Sequence, residues 1–599
     1  MNWFLRYRRD CIEALKNVGG LSPLECVLLG NRGLREAEEV ARYLNPTLDD
    51  LLDPFLFRDM DAAVEAIVDC LSSGRSIRIV GDYDQDGVSA TAILVRGIRS
   101  FAEQLGMDPY LSVSYAIPDR VEDGYGINRS IVDTALREEV GLIITCDNGI
   151  AAFDALSYAA EKQLPVIVTD HHQIVEKDGE EVLPEALAVL NPHSAASGYP
   201  FPDLCGAGVA YKLIEALAVA AGMDRHTFSG LLQYAALGTI CDVVPLVGEN
   251  RTIVSLGLEA INRTQDIGLL ALLQENNWHK EVSVYTVGFV IGPCINASGR
   301  LFTARLGVEL FLEEDAETAR EYAKQLISFN EERKAMTREG VEQAIQQIRA
   351  QHMDQQDLIL LYLPGIHESI CGLIAGRIKE QFYRPTLVFT DAQTSEAGEA
   401  LLKGSGRSIE AFDLFENLNR HREKYVAFGG HAMACGMSIR KADWETIRQC
   451  LQSETSLSEA DKTPLLELDC ALPISRLNFN VVKTLKRLAP FGSKNPSPLF
   501  GAKRCNVRAL RLVGANRNVL QLRLEYEGSE VSCVLFDGEA KLEMLRRESP
   551  KAVEGLLRGE PAGLQIDIAY RPEENEFRGK RSLQLVLKDI RASKKENMI

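Results

Sequence analysis

The sequence predicts an α/β protein with a parallel-sheet lobe, a second α/β lobe reached through long helices, and a small C-terminal β-barrel. Three observations carry this. Short apolar runs alternate with helix-like stretches from about residue 61 to 170, a charged helix-forming stretch runs from about Leu306 to Met353, and VLQLRLEY alternates after Asn518. At 599 residues the chain exceeds what one core supports, so three or four domains are expected.

Residues 1–60 read as a helical, irregular extension broken by Pro23, Pro46 and Pro54. Asp61 to Leu71 has amphipathic spacing and leads into the apolar run Ile77 to Val80, a buried strand. Directly after it comes Gly81-Asp82-Tyr83-Asp84-Gln85-Asp86-Gly87, with carboxylates at every second position. If the strand geometry continues, the three acids emerge on one side, where the chain turns at Gly87. Clustered carboxylates need a metal ion, an Arg or Lys partner, or a shared proton. Ser89 to Ile98 reads as the following helix.

The unit recurs. Gly141 to Cys146 is an apolar run ending at Asp147-Asn148-Gly149, with a helix from Ala151 to Lys162. Leu164 to Thr169 is another, ending at Asp170-His171-His172. Strands separated by helices imply a parallel sheet with right-handed crossovers, and ligands then sit beyond the carboxyl ends of the strands. Turn chemistry explains one such acid, but three strands ending in DYDQDG, CDNG and TDHH favour a metal site. Asp242, in GTICDVVPL at 238–246, is flanked by apolar residues and also needs a partner if buried.

Gly292-Pro-Cys-Ile-Asn-Ala-Ser-Gly-Arg300 reads as a small-residue loop that places Asn296 and Arg300 against a phosphate. Residues 306–353 form connecting helices, with Gly340 as the one internal breaker. A second α/β lobe spans 354–458, with strands at Leu358 to Leu363 and Thr386 to Thr390 around a helix from Ser369 to Lys379. Its Lys403-Gly-Ser405-Gly-Arg407-Ser and Gly429-Gly430-His431-Ala pair backbone freedom with phosphate-compatible side chains, in what read as turns. The segment 459–599 alternates as β-strands and suits an OB-type barrel, with an ordinary β-sandwich as the alternative.

Composition narrows function. Apolar residues make up 46% and charged residues 25%, as in soluble globular proteins. The N-terminus lacks the apolar run of a signal peptide and no stretch of about eighteen apolar residues occurs, so a cytoplasmic protein without a membrane partner is expected. Thirteen cysteines lack paired spacing and read as reduced core residues, not disulfides or structural zinc. The net charge is −19, yet Cys470 to Leu524 holds eleven Lys and Arg and no acid, +11 in that window, which leaves −30 for the rest. Such asymmetry suggests a polyanion-binding surface.

DYDQDG, CDNG, TDHH and GTICDVVPL, followed by GGHAMACG at 429–436, resemble the DHH phosphoesterases with their DHHA1 second domain. Ile117-Pro-Asp-Arg120, GPCINASGRL, NEERK from Asn330, Arg384-Pro385, GSGRS from Gly404 and APFGSKNPSPLF from Ala489 resemble the RecJ family, the bacterial exonucleases specific for single-stranded DNA. Cys241, Cys294, Gly406 and His367-Glu368-Ser369 depart from the usual pattern. The resemblance covers about Leu51 to the C-terminus. It implies a DHH catalytic domain at 61–305, a DHHA1 domain at 354–458 and an OB-like domain at 459–599.

It also implies stepwise 5′-to-3′ hydrolysis of single-stranded DNA to 5′-mononucleotides in repair and recombination, with two ions, Mn²⁺ or Mg²⁺. On this resemblance Asp84, Asp86, Asp147, His171 and Asp242 hold the metals, Asp147 bridging, and Asp82, Asp170 and His172 support them or face substrate. His431, in its Gly429-Gly430 setting, and Arg300 would contact the scissile phosphate, while Arg120, Ser405 and Arg407 hold the 5′-terminal phosphate. Family analogy adds a single-strand-binding protein and a RecQ-type helicase as partners of a monomer. Two other classes remain: a DHH phosphodiesterase of short oligonucleotides or cyclic dinucleotides, and a non-catalytic DNA-binding scaffold of the replication machinery.

Overall fold

A computed structural model describes residues 1–118, 126–301, 303–392, 398–514, 517–560, 562–577 and 579–593. The chain folds into two compact units. One is Leu48–Pro464, and the other joins Met1–Thr47 to the chain from Leu465 onward.

The larger unit opens with α1 (Met60–Ser72), which buries Ala63, Val64 and Ile67 and leads into β1 (Ile77–Val80). Then follow α2 (Gln85–Gln104), β2 (Val113–Ala116), α3 (Arg129–Arg137), β3 (Leu142–Cys146), α4 (Phe153–Glu161), β4 (Val166–Thr169) and β5 (Ala188–Leu190). The five strands form one sheet in the order β2-β1-β3-β4-β5, with every pairing parallel. β1, β3 and β4 are buried along their whole length, which is why they read as continuous apolar runs. The strand order reverses between β1 and β3, and that point in an open parallel sheet is where a ligand crevice opens.

Helices α5 (Gly206–Ala220) and α6 (Leu232–Cys241) pack against α2. The expected loop at 292–300 is instead α7 (Gly292–Leu301), entered through a π-helical turn at Val287–Ile291. Its small residues serve close packing: a Cβ at Gly299 would stand 2.3 Å from the Tyr83 carbonyl oxygen. The connection is a short helix, Arg305–Leu312, and the 35-residue α8 (Ala316–Ala350). Gly340 does not break α8, because it lies buried against Ile374.

The second lobe contains β6 (Ile359–Tyr362), α9 (Cys371–Phe382), β7 (Thr386–Asp391), β8 (Leu401–Arg407), α10 (Leu414–Asn419), β9 (Ala427–His431), β10 (Ala434–Arg440) and α11 (Trp444–Glu454). The sheet order is β9-β10-β8-β7-β6, with only β6 and β7 parallel. Ser405, Arg407 and Gly429–His431 therefore sit on paired strands and not in turns. The ladder hydrogen bonds of β8 and β10 outweigh the flexibility their glycines suggest.

In the other unit, β11 (Phe500–Val513), β12 (Val519–Tyr526), β13 (Ser529–Leu535), β14 (Gln565–Phe577) and β15 (Lys580–Ala592) close into a barrel through the β11–β14 pairing. The first 47 residues are not a separate extension. A strand at Asn2–Leu5 pairs in parallel with Leu465–Leu468, and Leu15, Leu28 and Leu29 join the barrel's core cluster. The APFGSKNPSPLF segment grips them: Arg32 Nε donates to Asn495 Oδ1 at 2.8 Å and Nη2 to the Pro496 carbonyl at 2.7 Å. All eleven cations between Cys470 and Leu524 are exposed. Lys486, Arg487 and Arg508 pair with Glu574, Glu25 and Glu525.

Candidate metal centre

The acidic stretch after β1 does not continue extended. Helix α2 starts at Gln85, with Asp84 as its N-cap: Asp84 Oδ1 accepts from the Asp86 amide at 2.8 Å and from the Gly87 amide at 3.2 Å. A strand-to-helix corner, not strand pleating, therefore gathers Asp82, Asp84 and Asp86. Asp86 lies in the first turn of α2 and reaches the start of another helix. Its Oδ2 accepts from Gly206 N at 2.6 Å and its Oδ1 from Ala207 N at 3.0 Å, the leading amides of α5. Unpaired amides and the dipole at a helix start favour a carboxylate there.

Two glycines let these elements close. A Cβ at Gly206 would lie 2.6 Å from Asp147 Cβ, and one at Gly238 of α6 would lie 2.2 Å from Asp86 Oδ1. Asp147 follows β3 in a left-handed conformation, φ 62°. Beside it, Asn148 Nδ2 donates to the carbonyls of Val80 at 3.0 Å and Cys146 at 2.9 Å, binding together the ends of β1 and β3. Beyond β4, Asp170 accepts from the amides of Ile150 (2.9 Å), His171 (2.7 Å) and His172 (3.1 Å) and lies 2.8 Å from His172 Nδ1. Those bonds tie the Asp170 carboxylate to the His171-His172 turn and to the start of the chain after β3.

Asp242, unlike the other acids, does not follow a strand. It is the C-cap of α6, where the helix dipole disfavours an anion, so the helix gains nothing from its charge. His171 stands among the acids, with Nε2 3.0 Å from Asp147 Oδ1 and 3.7 Å from Asp86 Oδ2, and Nδ1 3.7 Å from Asp242 Oδ2. Three overlapping groups have ligand atoms within 4.8 Å of one another: Asp82, Asp84 and Asp147; Asp86, His171 and Asp242; Asp147, His171 and His172.

Electrostatics confirm the crowding. Burial and then the charge of Asp86 raise Asp84 above the usual carboxylate range, and the same causes lift Asp147 well above it. Asp242 is pushed up to about 8 by burial, Asp86 and Asp84. Burial lowers His171. It also opposes the charged form of His172, but the hydrogen bond and charge of Asp170 outweigh it and raise His172 to about 9. Oxygen donors with one or two imidazoles, mutually repelling without a cation, suit hard divalent ions and Mn²⁺ in particular.

The phosphate-binding expectations divide. Asn296 Oδ1 accepts from the Gln85 amide at 2.7 Å, so that oxygen supports the start of α2. Arg300 Nη1 donates to the Ser369 carbonyl at 2.7 Å, linking the two lobes of this unit. Arg407 Nη1 lies 3.2 Å from Ser405 Oγ, and a Cβ at Gly372 would meet Arg407 Nη2 at 2.7 Å and Ser405 Oγ at 2.9 Å. Ser405 and Arg407 thus lie over the first turn of α9, and among the described residues no carboxylate pairs with Arg407. Gly429, Gly430 and His431 are exposed at the end of β9, with His431 Nδ1 accepting from the Met433 amide at 3.3 Å. Arg120 lies outside the described residues.

Sequence reasoning missed Gly206, Ala207, Gly238 and Asn148 as builders of the centre. The small-residue run Cys205-Gly-Ala-Gly208 before an apolar helix was the available signal, since it marks a helix start that something approaches closely.

A doubly wound parallel sheet with an acid-and-imidazole cluster at its switch point, carrying a mixed-sheet lobe on a long helix, defines a two-lobed DHH phosphoesterase. Residues 76–239 match the DHH family N-terminal domain, 355–456 the DHHA1 domain and 468–589 the RecJ OB domain. The Bacillus subtilis single-stranded-DNA-specific exonuclease RecJ is 33% identical over 598 residues, 99% of this chain and 71% of that protein. The Haemophilus influenzae RecJ is 34% identical, over 91% of this chain and 93% of that protein. The crystal structure of Thermus thermophilus RecJ in complex with Mn²⁺ is similar at a TM-score of 0.78 and 27% identity, covering 99% of this chain and 80% of that one. The chain belongs to the RecJ family of single-stranded-DNA-specific exonucleases.

Proposed function

We propose that the chain hydrolyses single-stranded DNA stepwise from a 5′ end to 5′-mononucleotides, with Asp84, Asp86, Asp147, His171 and Asp242 holding two Mn²⁺ or Mg²⁺ ions. The observation that carries this reading is Asp147, which belongs both to the group with Asp82 and Asp84 and to the group with His171 and His172, as a bridging ligand requires. Asp82 and His172 stand at ligand distance too, so they extend the set expected from sequence. Bound ions of this kind activate the attacking water and neutralise charge on the leaving 3′ oxygen.

The chain's own groups supply the rest. Asp86 is fixed by the α5 amides and Asp84 by those of α2, so both carboxylates are oriented before substrate arrives. Arg407 and Ser405, over the first turn of α9, offer a guanidinium, a hydroxyl and the positive end of a helix to a terminal phosphate. Arg120 joins them in this reading, and His431 and Arg300 neutralise charge at the scissile phosphate.

No helix among the described residues is long and apolar enough to cross a membrane. We place the protein in the cytoplasm as a monomer that works with a single-strand-binding protein and a RecQ-type helicase. Digestion of 5′-labelled and 3′-labelled single strands with Mn²⁺, beside a duplex control, tests the proposal. Early release of the 5′ label from single strands alone supports it. Preference for a dinucleotide over a long strand would replace it with the small-substrate reading, and no hydrolysis at all with the scaffold reading.

A further inference from the structure

Ten of the thirteen cysteines are buried, as their apolar contexts predict, but Cys450 is half exposed. It lies on α11 one turn before Glu454, so the two side chains share a helix face. His421, from the turn after α10, completes a cluster remote in sequence from both. Cys450 Sγ donates to Glu454 Oε1 at 3.2 Å, His421 Nε2 lies 2.9 Å from Glu454 Oε2, and Sγ lies 3.7 Å from Nε2. One atom from each residue falls within 4.8 Å of the others.

We propose that His421, Cys450 and Glu454 form a second cation site that takes Zn²⁺ or a similarly thiophilic divalent ion, with water as the fourth ligand. Tetrahedral zinc with sulfur, nitrogen and oxygen at their usual bond lengths needs donor separations of roughly 3.4–3.6 Å. Cys450 Sγ and His421 Nε2, 3.7 Å apart, already stand close to that separation, and each has a Glu454 carboxylate oxygen beside it. A thiolate and an imidazole select a borderline-soft ion, whereas the oxygen-rich centre at the sheet end suits Mn²⁺ or Mg²⁺.

Lys424 supplies an independent observation. Its Nζ lies 3.2 Å from Cys450 Sγ and 3.4 Å from His421 Nδ1, so the cluster already draws a cation. Binding releases the thiol proton to solvent and changes no oxidation state. His421 is 14% exposed and Glu454 52%, so an ion enters from the Glu454 side. The bound ion would fasten α11 to the segment that enters β9, the strand carrying Gly429–His431.

The test uses the full-length protein stripped with a chelator and titrated with Co²⁺. The wild type is expected to show a thiolate-to-cobalt charge-transfer band that Zn²⁺ abolishes. Cys450→Ser is expected to lack it and to hold one zinc fewer after dialysis, while its Mn²⁺-dependent hydrolysis stays at the wild-type level. Identical cobalt spectra for the two proteins overturn the proposal. Should Cys450→Ser fail to fold, Glu454→Gln carries the test: a zinc affinity loss of at least ~10-fold supports the site, and unchanged affinity refutes it.

Discussion

Asp86 and Gly206, 120 residues apart, meet at 2.6 Å, where the leading amide of α5 donates to a carboxylate in the first turn of α2. Two helix starts thus share one acid, and the acid is held in place by backbone that no substitution of a neighbouring side chain removes. The same glycine admits Asp147, so the closeness of α5 and β3 is set by the absence of a methyl group.

Gly206→Ala is therefore expected to cost activity without unfolding the chain. The added Cβ would lie 2.6 Å from Asp147 Cβ and push that carboxylate aside. Displacing a reacting group by about 1 Å costs on the order of 10²-fold in rate. Steady-state hydrolysis and a thermal melt check this, and an unchanged rate contradicts the assigned packing.

Asp147→Asn separates chemistry from stability. Hydrolysis is expected to fall by on the order of 10³-fold or more, as for removal of a group that works as part of a unit. The metal-free protein is expected to melt higher, because the substitution relieves repulsion from Asp82, Asp84, Asp86 and Asp242. A lower melting temperature would contradict the crowded-acid account.

The metal-free protein is expected to lose stability between about pH 6.5 and about pH 8. Asp147 and Asp242 are raised in the folded state, Asp242 to about 8, and His172 is raised to about 9. The folded chain there holds protons that the unfolded chain releases, so stability is present at the lower pH and falls as pH rises. His171 and Asp170 are lowered, which works the other way as pH rises toward the ordinary histidine value of about 6.5 and adds little above it. Mn²⁺ competes with those protons, so its upward shift of the melting temperature should grow from pH 6.5 to pH 8. A shift independent of pH would refute the linkage.

Asp170→Asn tests the orienting role. His172 loses the carboxylate that raises it to about 9, and its pKa, followed by NMR, is expected to fall. Activity is expected to drop 10–100-fold, the usual scale for a group that orients a ligand. An unmoved His172 titration would dismiss the assignment.

Neutralising Arg511, Arg517 and Arg523 together, by substitution with Gln, should weaken binding of long single strands. The slope of log affinity against log salt should shallow by about 0.7 per lost contact, about 2 in all. These three are exposed, and among the described residues no acid pairs with them. An unchanged slope would make the +11 window a solvated face.

The sequence by itself determined the buried strands, the acids at their carboxyl ends and the alternating strands of the barrel, because each is written in a pattern a few residues long. It misplaced the rest. Period-two spacing suggested that pleating aligns Asp82, Asp84 and Asp86, whereas an N-cap at Asp84 turns the chain helical within two residues. The small residues at 292–300 looked like a loop until their close approach to Tyr83 showed a packed helix. The run Cys205-Gly-Ala-Gly208 marks a close approach to the start of α5 without naming Asp86, and the docking of Asn2–Leu5 beside Leu465–Leu468 and the triangle of His421, Cys450 and Glu454 leave no local trace. Only tertiary packing decides which distant backbone amides and side chains share a volume, and it is there that the metal centre acquires its geometry.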